Sequence, residues 1–106
     1  MAITELNKEN FDLEVNKSEV PVLIDFFATW CGPCRMLSPV IDEVANEKLN
    51  VKTCKLDIEK EGEIARKFGI RSVPTLVLVK SGKVINSSVG LVSKNKIIDM
   101  INSAEK

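Results

Sequence analysis

The spacing of apolar positions changes period several times along the chain, and each change predicts an element. From Val20 to Trp30 the run VPVLIDFFATW is nearly continuous in apolar residues and rich in β-branched and aromatic side chains. Such a run predicts a central strand covered on both faces. Leu37, Val40, Ile41, Val44 and Ala45 then recur at three and four residues, the spacing of an amphipathic helix. Pro39 lies inside that pattern, where its ring and missing N–H predict a bend. Asn50 to Ile58 reads as a second strand. Ile64, Ala65 and Phe68 predict a short helix that stops near Gly69.

Thr75–Val79 and Lys83–Val89 predict two strands joined by a tight hairpin at Ser81-Gly82. Ser93 is placed to cap a last helix with Ile97, Ile98 and Ile101 on its inward face. The opening segment fits two patterns: Phe11, Leu13 and Val15 alternate like a strand, while Phe11 and Val15 also stand one helical turn apart. The order β-α-β-α-β-β-α predicts an α/β sheet, parallel early and antiparallel late, with helices on both faces.

Composition narrows what such a sheet can do. With 44 % apolar residues in 106, the chain can bury a core without disulfide staples or a structural metal. Fifteen basic residues balance fifteen acidic ones, so no net field draws it to nucleic acid or to a membrane surface. The first residues, MAITELNKENFDLE, lack the apolar core of a signal peptide, and no stretch approaches the ~20 apolar residues that span a bilayer. The expectation is a cytoplasmic protein, where cysteines are kept reduced, so its three cysteines are reactive or inert rather than structural staples. Histidine is absent, which removes the usual proton shuttle near neutral pH.

The chemistry concentrates at Cys31-Gly32-Pro33-Cys34, where the first long strand gives way to the long helix. Two residues between cysteines at a helix start let the sulfurs come within bonding distance. The unpaired N–H groups and partial positive charge of the helix N-terminus favour a thiolate, which makes Cys31 the expected nucleophile. Half of a zinc site is the alternative, but zinc wants four Cys or His ligands, and the chain has one CxxC, one further Cys and no His. An oxidase or isomerase could use the same pair. Such enzymes commonly carry His between the cysteines, whereas Gly32-Pro33 adds no charge and points to a reducing dithiol. Asp25 is a carboxylate in a strand that otherwise reads as buried, so burial should raise its pKa and make it an acid or base near neutrality. The other reading of Asp25 is a structural ion pair or a strand-end charge in solvent.

DFFATWCGPCRM at 25–36, KLDIE at 55–59, FGIRSVPTLVLVKSGK at 68–83 and VGLVSK from 89 together resemble the thioredoxin family over essentially the whole length. The resemblance implies a thioredoxin fold, a five-stranded mixed β-sheet flanked by four α-helices, forming one domain over residues 1–106. It implies a monomer that reduces diverse disulfide-containing proteins through a Cys31–Cys34 disulfide, recycled by a thioredoxin reductase. It assigns Asp25 the proton of Cys34, with Lys55 as the carboxylate's lysine partner, and makes Val73-Pro74 a cis peptide packed against the dithiol. Trp30, Gly32, Pro33, Val73, Pro74, Gly90 and Leu91 would receive the substrate chain, Gly90 by letting a second backbone approach. No phosphate-cradling glycine motif is present, so the expectation is that no cofactor binds. Three departures are mild: Phe27 where many relatives have Trp, taken to matter little for chemistry; Arg35 for the commoner Lys; and an additional Cys54, expected to be an inert buried thiol. A different class of function, a binding module with an incidental dithiol, is separated from this reading by a disulfide-reduction assay.

Overall fold

In the computed structural model, which describes residues 3–47 and 49–105, five strands form one mixed sheet in the order β1-β3-β2-β4-β5. The strands are β1 (Thr4–Glu5), β2 (Val22–Phe27), β3 (Lys52–Asp57), β4 (Thr75–Lys80) and β5 (Lys83–Val89). β3 runs parallel to both β1 and β2, whereas β4 runs antiparallel to β2 and to β5. A π-wound turn at Asp12–Asn16 precedes the helices α1 (Gly32–Asn46), α2 (Gly62–Lys67) and α3 (Lys94–Asn102), and α3 runs on into a 3-10 turn at Ser103–Glu105, which makes four continuous helical segments among the described residues.

Strand alternation splits β2 between two cores. Val22, Ile24 and Phe26 enter one cluster with Leu6, Val15, Cys54, Leu56, Ala65, Val77 and Val79. Leu23 enters the other, under α1 and α3, with Leu37, Ile41, Val44, Leu76, Leu78, Ile97, Met100 and Ile101. Both faces of β2 are thus covered, as its unbroken apolar run requires, and Asp25 falls on the α1 face by the same alternation. That one-residue parity is what brings a carboxylate beneath the start of α1.

The ends of the elements follow local chemistry. Cys31 is the N-cap of α1, its Sγ accepting the Cys34 N–H at 3.1 Å, and Pro33 lies in the first turn, where a missing N–H costs nothing. α1 continues through Pro39, which is exposed. Gly69, at φ 69°, ends α2 with Ile70 N–H donating back to Ala65 O at 3.1 Å. Ser81 and Gly82 both adopt positive φ, 53° and 78°, the pairing of a two-residue hairpin whose twist matches its strands. Ser93 caps α3 by accepting the Lys96 N–H at 3.2 Å.

Two expectations shift. Ile98 is only half-buried and Met100 takes its place inside, because a stripe at 97, 100 and 101 follows the helical period more closely. In the opening segment the helical pattern prevails: Val15 is buried and Phe11 packs beside it, while Leu13, which strand alternation would have buried with them, is exposed. The two-residue β1 that precedes it has no hydrophobic alternation long enough to announce itself.

Candidate active site

The turn from β2 into α1 carries the two thiols to one place. Cys31 and Cys34 are joined as a disulfide, their Cα atoms 5.3 Å apart. Both are only 4 % exposed and pack in a small cluster with Ala28, bordered by Phe27, Ile58 and Val73. The two sulfurs nevertheless differ in surroundings. Cys31 Sγ stands at the helix cap, receives the Cys34 N–H, and lies 3.7 Å from the carbonyl oxygen of Val73. Amide donors aimed at a sulfur favour its thiolate once the disulfide is reduced. Cys34 instead lines a cleft of about 250 Å³ with Asp25, Phe27, Ala28, Thr29, Arg35, Ser38 and Lys55.

Asp25 forms the buried end of that cleft, 6 % exposed, and its Oδ1 has no hydrogen-bond partner. Desolvation lifts its pKa to about 6, against the opposing pull of the Lys55 charge. Asp25 and Lys55 are register partners across β2 and β3. No ion pair within 4 Å joins them among the described residues, and the exposed Lys55 places its Nζ 5.9 Å from the centroid of the Phe27 ring. The carboxylate is therefore tuned mainly by loss of water, and it shares its cleft with Cys34. Such a group can take or return a proton near neutral pH.

The apolar rim gathers from three segments. The Val73-Pro74 peptide bond is cis, and Pro74 O accepts the Gly90 N–H at 2.8 Å, which ties the end of β5 to this loop. Gly90 holds φ 93°, a conformation suited to glycine, and the space where its Cβ would lie is open. Trp30 is 64 % exposed, and Leu91 and Pro33 are exposed as well, while Gly32 has open space above its Cα. Trp30 is thus a surface residue rather than part of the core.

Cys54 is apart from all of this. It is fully buried in the cluster on the opposite face of the sheet, where desolvation pushes its thiol up to about 12 despite the nearby Lys52 charge. No group of three or more His, Cys, Asp or Glu is placed to hold a metal ion among the described residues. None of their helices is long and apolar enough to cross a membrane.

Five residues of the cleft, Phe27, Ala28, Thr29, Arg35 and Ser38, lie outside the site residues that the sequence suggests. Phe27 was visible in principle, since alternation from Asp25 puts it on the same face two residues on. Arg35, which donates from Nη1 to Thr29 O at 3.1 Å, and Ser38 carry no local signal of their position.

A mixed sheet that delivers a CxxC disulfide to a helix N-terminus, beside a buried carboxylate, defines a dithiol–disulfide exchange protein. The chain belongs to the thioredoxin family, whose model it matches over residues 2–103. It is 47 % identical over 96 residues to a thioredoxin of Rickettsia bellii (strain RML369-C), covering 90 % of this chain and 91 % of that protein. It is 40 % identical over 103 residues to a thioredoxin of Pyropia yezoensis, covering 96 % of each. To a thioredoxin of Haemophilus influenzae (strain ATCC 51907 / DSM 11121 / KW20 / Rd) it is 40 % identical over 101 residues, covering 94 % of each. The chain is a thiol–disulfide oxidoreductase, a protein-disulfide reductase with a redox-active cysteine pair.

Proposed function

We propose that Cys31 is the nucleophile and Cys34 the resolving thiol in the reduction of exposed protein disulfides. The observation that carries this is the asymmetry of the two sulfurs: Cys31 receives an amide at the helix cap, and Cys34 shares a cleft with Asp25. In the reduced protein the Cys31 thiolate attacks one sulfur of the substrate disulfide. That bond breaks, the departing sulfur takes up a proton, and a mixed disulfide forms. Asp25 accepts the Cys34 proton, the Cys34 thiolate attacks Cys31 Sγ, and the substrate's second sulfur leaves. Two electrons have passed from the dithiol to the substrate, and the Cys31–Cys34 disulfide is restored. Lys55 sets the charge at the mouth of this proton path.

Trp30, Gly32, Pro33, Val73, Pro74, Gly90 and Leu91 form the rim that seats the substrate chain. Pro74 contributes no N–H, and Gly90 leaves room for a second backbone. A thioredoxin reductase returns the disulfide to the dithiol. The chain acts as a single domain and a monomer in the cytoplasm, where thiols are held reduced and a reducing dithiol has substrates to work on. An insulin-reduction assay in dithiothreitol tests the reading: the protein should hasten precipitation of the insulin chains and Cys31→Ser should not. Equal rates with and without the protein would favour the binding-module alternative.

A further inference from the structure

Phe27 reads from the sequence as a neutral replacement, yet its ring lines the cleft of Asp25 and Cys34. Lys55 Nζ stands 5.9 Å from that ring's centroid, within the range over which an aromatic face holds an ammonium. Asp25, the direct register partner of Lys55 and two residues before Phe27 on β2, has a buried Oδ1 without a hydrogen-bond partner. A cation therefore stands near a solitary buried carboxylate oxygen and rests on a ring instead.

We propose that Phe27 is a positioning residue whose ring holds the Lys55 ammonium at the mouth of the cleft, where its charge reaches Asp25 but its N–H groups do not close on the carboxylate. The distinction matters for proton transfer. An ammonium bonded directly to Oδ1 would favour the ionised form and occupy the lone pairs that have to receive a proton. Held over the ring, it moderates the effect of burial and leaves Oδ1 free of a bound ammonium in the cleft that Asp25 shares with Cys34. The other groups facing Asp25 do not duplicate this role. From α1 come Cys34 and Arg35, the latter bonded to Thr29 O, and the β4 register partner is the apolar Leu76.

The test follows the Asp25 carboxyl carbon by NMR across pH in the oxidised protein. Phe27→Leu should lower the titration midpoint by about half a pH unit as Lys55 moves from the ring onto the carboxylate. Phe27→Trp, a better ring for a cation, should leave the midpoint at or above that of the wild type. In a Lys55→Gln background, Phe27→Leu should move the midpoint no further, because the coupling runs through the ammonium. An equal shift with and without Lys55 would assign Phe27 to packing alone and overturn the proposal, as would no shift in either background. Should Phe27→Leu fail to fold, a midpoint below wild type in Phe27→Trp overturns it as well. The proposal takes its mechanistic meaning from Asp25 as the proton carrier of Cys34, and a second readout separates the two. The pH profile of mixed-disulfide release should move with the NMR midpoint. A midpoint that responds to Phe27 while the release profile stays fixed would uphold the ring's hold on Lys55 and overturn the proton-carrier reading instead.

Discussion

Ile24 and Asp25 are neighbours on β2, and their register partners Cys54 and Lys55 are neighbours on β3, yet the two levels face opposite sides of the sheet. On one side a thiol, Cys54, is enclosed by apolar side chains, and burial drives its pKa up to about 12. On the other a carboxylate, Asp25, is nearly as buried, but its environment opens through a cleft lined by Cys34 and Lys55, and its pKa settles at about 6. Burial alone does not make a functional group. It silences the thiol, because an enclosed sulfur has neither a stabilised anion nor a route for its proton. It tunes the carboxylate, because a charge stands nearby and the cleft provides an exit. The Cys31–Cys34 pair shows the third arrangement: low exposure combined with a helix terminus that stabilises the anion.

The widest gap between these environments should appear in alkylation of the reduced protein. A thiol with a pKa of about 12 holds only about one thiolate in ten thousand near pH 8, against roughly a quarter for an ordinary cysteine. Limiting iodoacetamide followed by peptide mapping should label Cys31 first and Cys54 last, by a factor of a thousand or more on thiolate fraction alone. Labelling of Cys54 alongside Cys31 would erase the contrast between the two faces.

Replacing Asp25 probes the other face. Its folded pKa lies above the unfolded value, so the fold favours the protonated acid and the carboxylate form costs stability. The penalty is absent below the unfolded value of about 3.9, grows as pH rises through the folded value, and is complete above it. The span from 3.8 to about 6 corresponds to about 3 kcal/mol. Asp25→Asn, which keeps the neutral form at every pH, should therefore be more stable than the wild type by about that much at pH 8 and by little at pH 3.5. Denaturant midpoints at both pH values measure it, alongside slowed disulfide exchange. A variant less stable at pH 8 would mean that Asp25 is usefully paired when ionised.

The smallest effect is expected at Cys54. Cys54→Ser buries a hydroxyl in an apolar cluster and should cost about 1–3 kcal/mol in denaturant stability. Insulin reduction by the folded variant should match the wild type. A loss of turnover without a loss of stability would make Cys54 part of the redox chemistry.

Much of this contrast was legible in the sequence. The unbroken run at Val20–Trp30 announced a strand covered on both faces, and the lone Asp25 within it announced a buried titratable group. Its position beneath α1 follows from parity with Leu23, which the sequence contains but which cannot be oriented until the helix is known to lie on that side. Phe27 reads in the sequence only as a replacement for tryptophan, whereas its contact with Lys55 depends on the pairing of β2 with β3. Arg35 and Ser38 reach the cleft only through the turn of α1. The two-residue β1 carries no sequence signal because pairing with β3, rather than any pattern of its own, makes it a strand. The π-wound turn could be narrowed only to two readings, since Phe11 and Val15 satisfy both periods and Leu13 decides between them by its exposure.

The central claim, that the two sulfurs divide the work, is tested most directly by trapping. Cys34→Ser keeps the capped nucleophile and replaces the resolving thiol with a hydroxyl, a far poorer nucleophile at neutral pH. Incubated with insulin as the disulfide substrate and run on a non-reducing gel, this variant should accumulate a mixed disulfide with an insulin chain that dithiothreitol releases. Cys31→Ser should accumulate none. Capture by Cys31→Ser and not by Cys34→Ser would reverse the roles of nucleophile and resolver, and would contradict the assignment drawn from the helix cap and the Asp25 cleft.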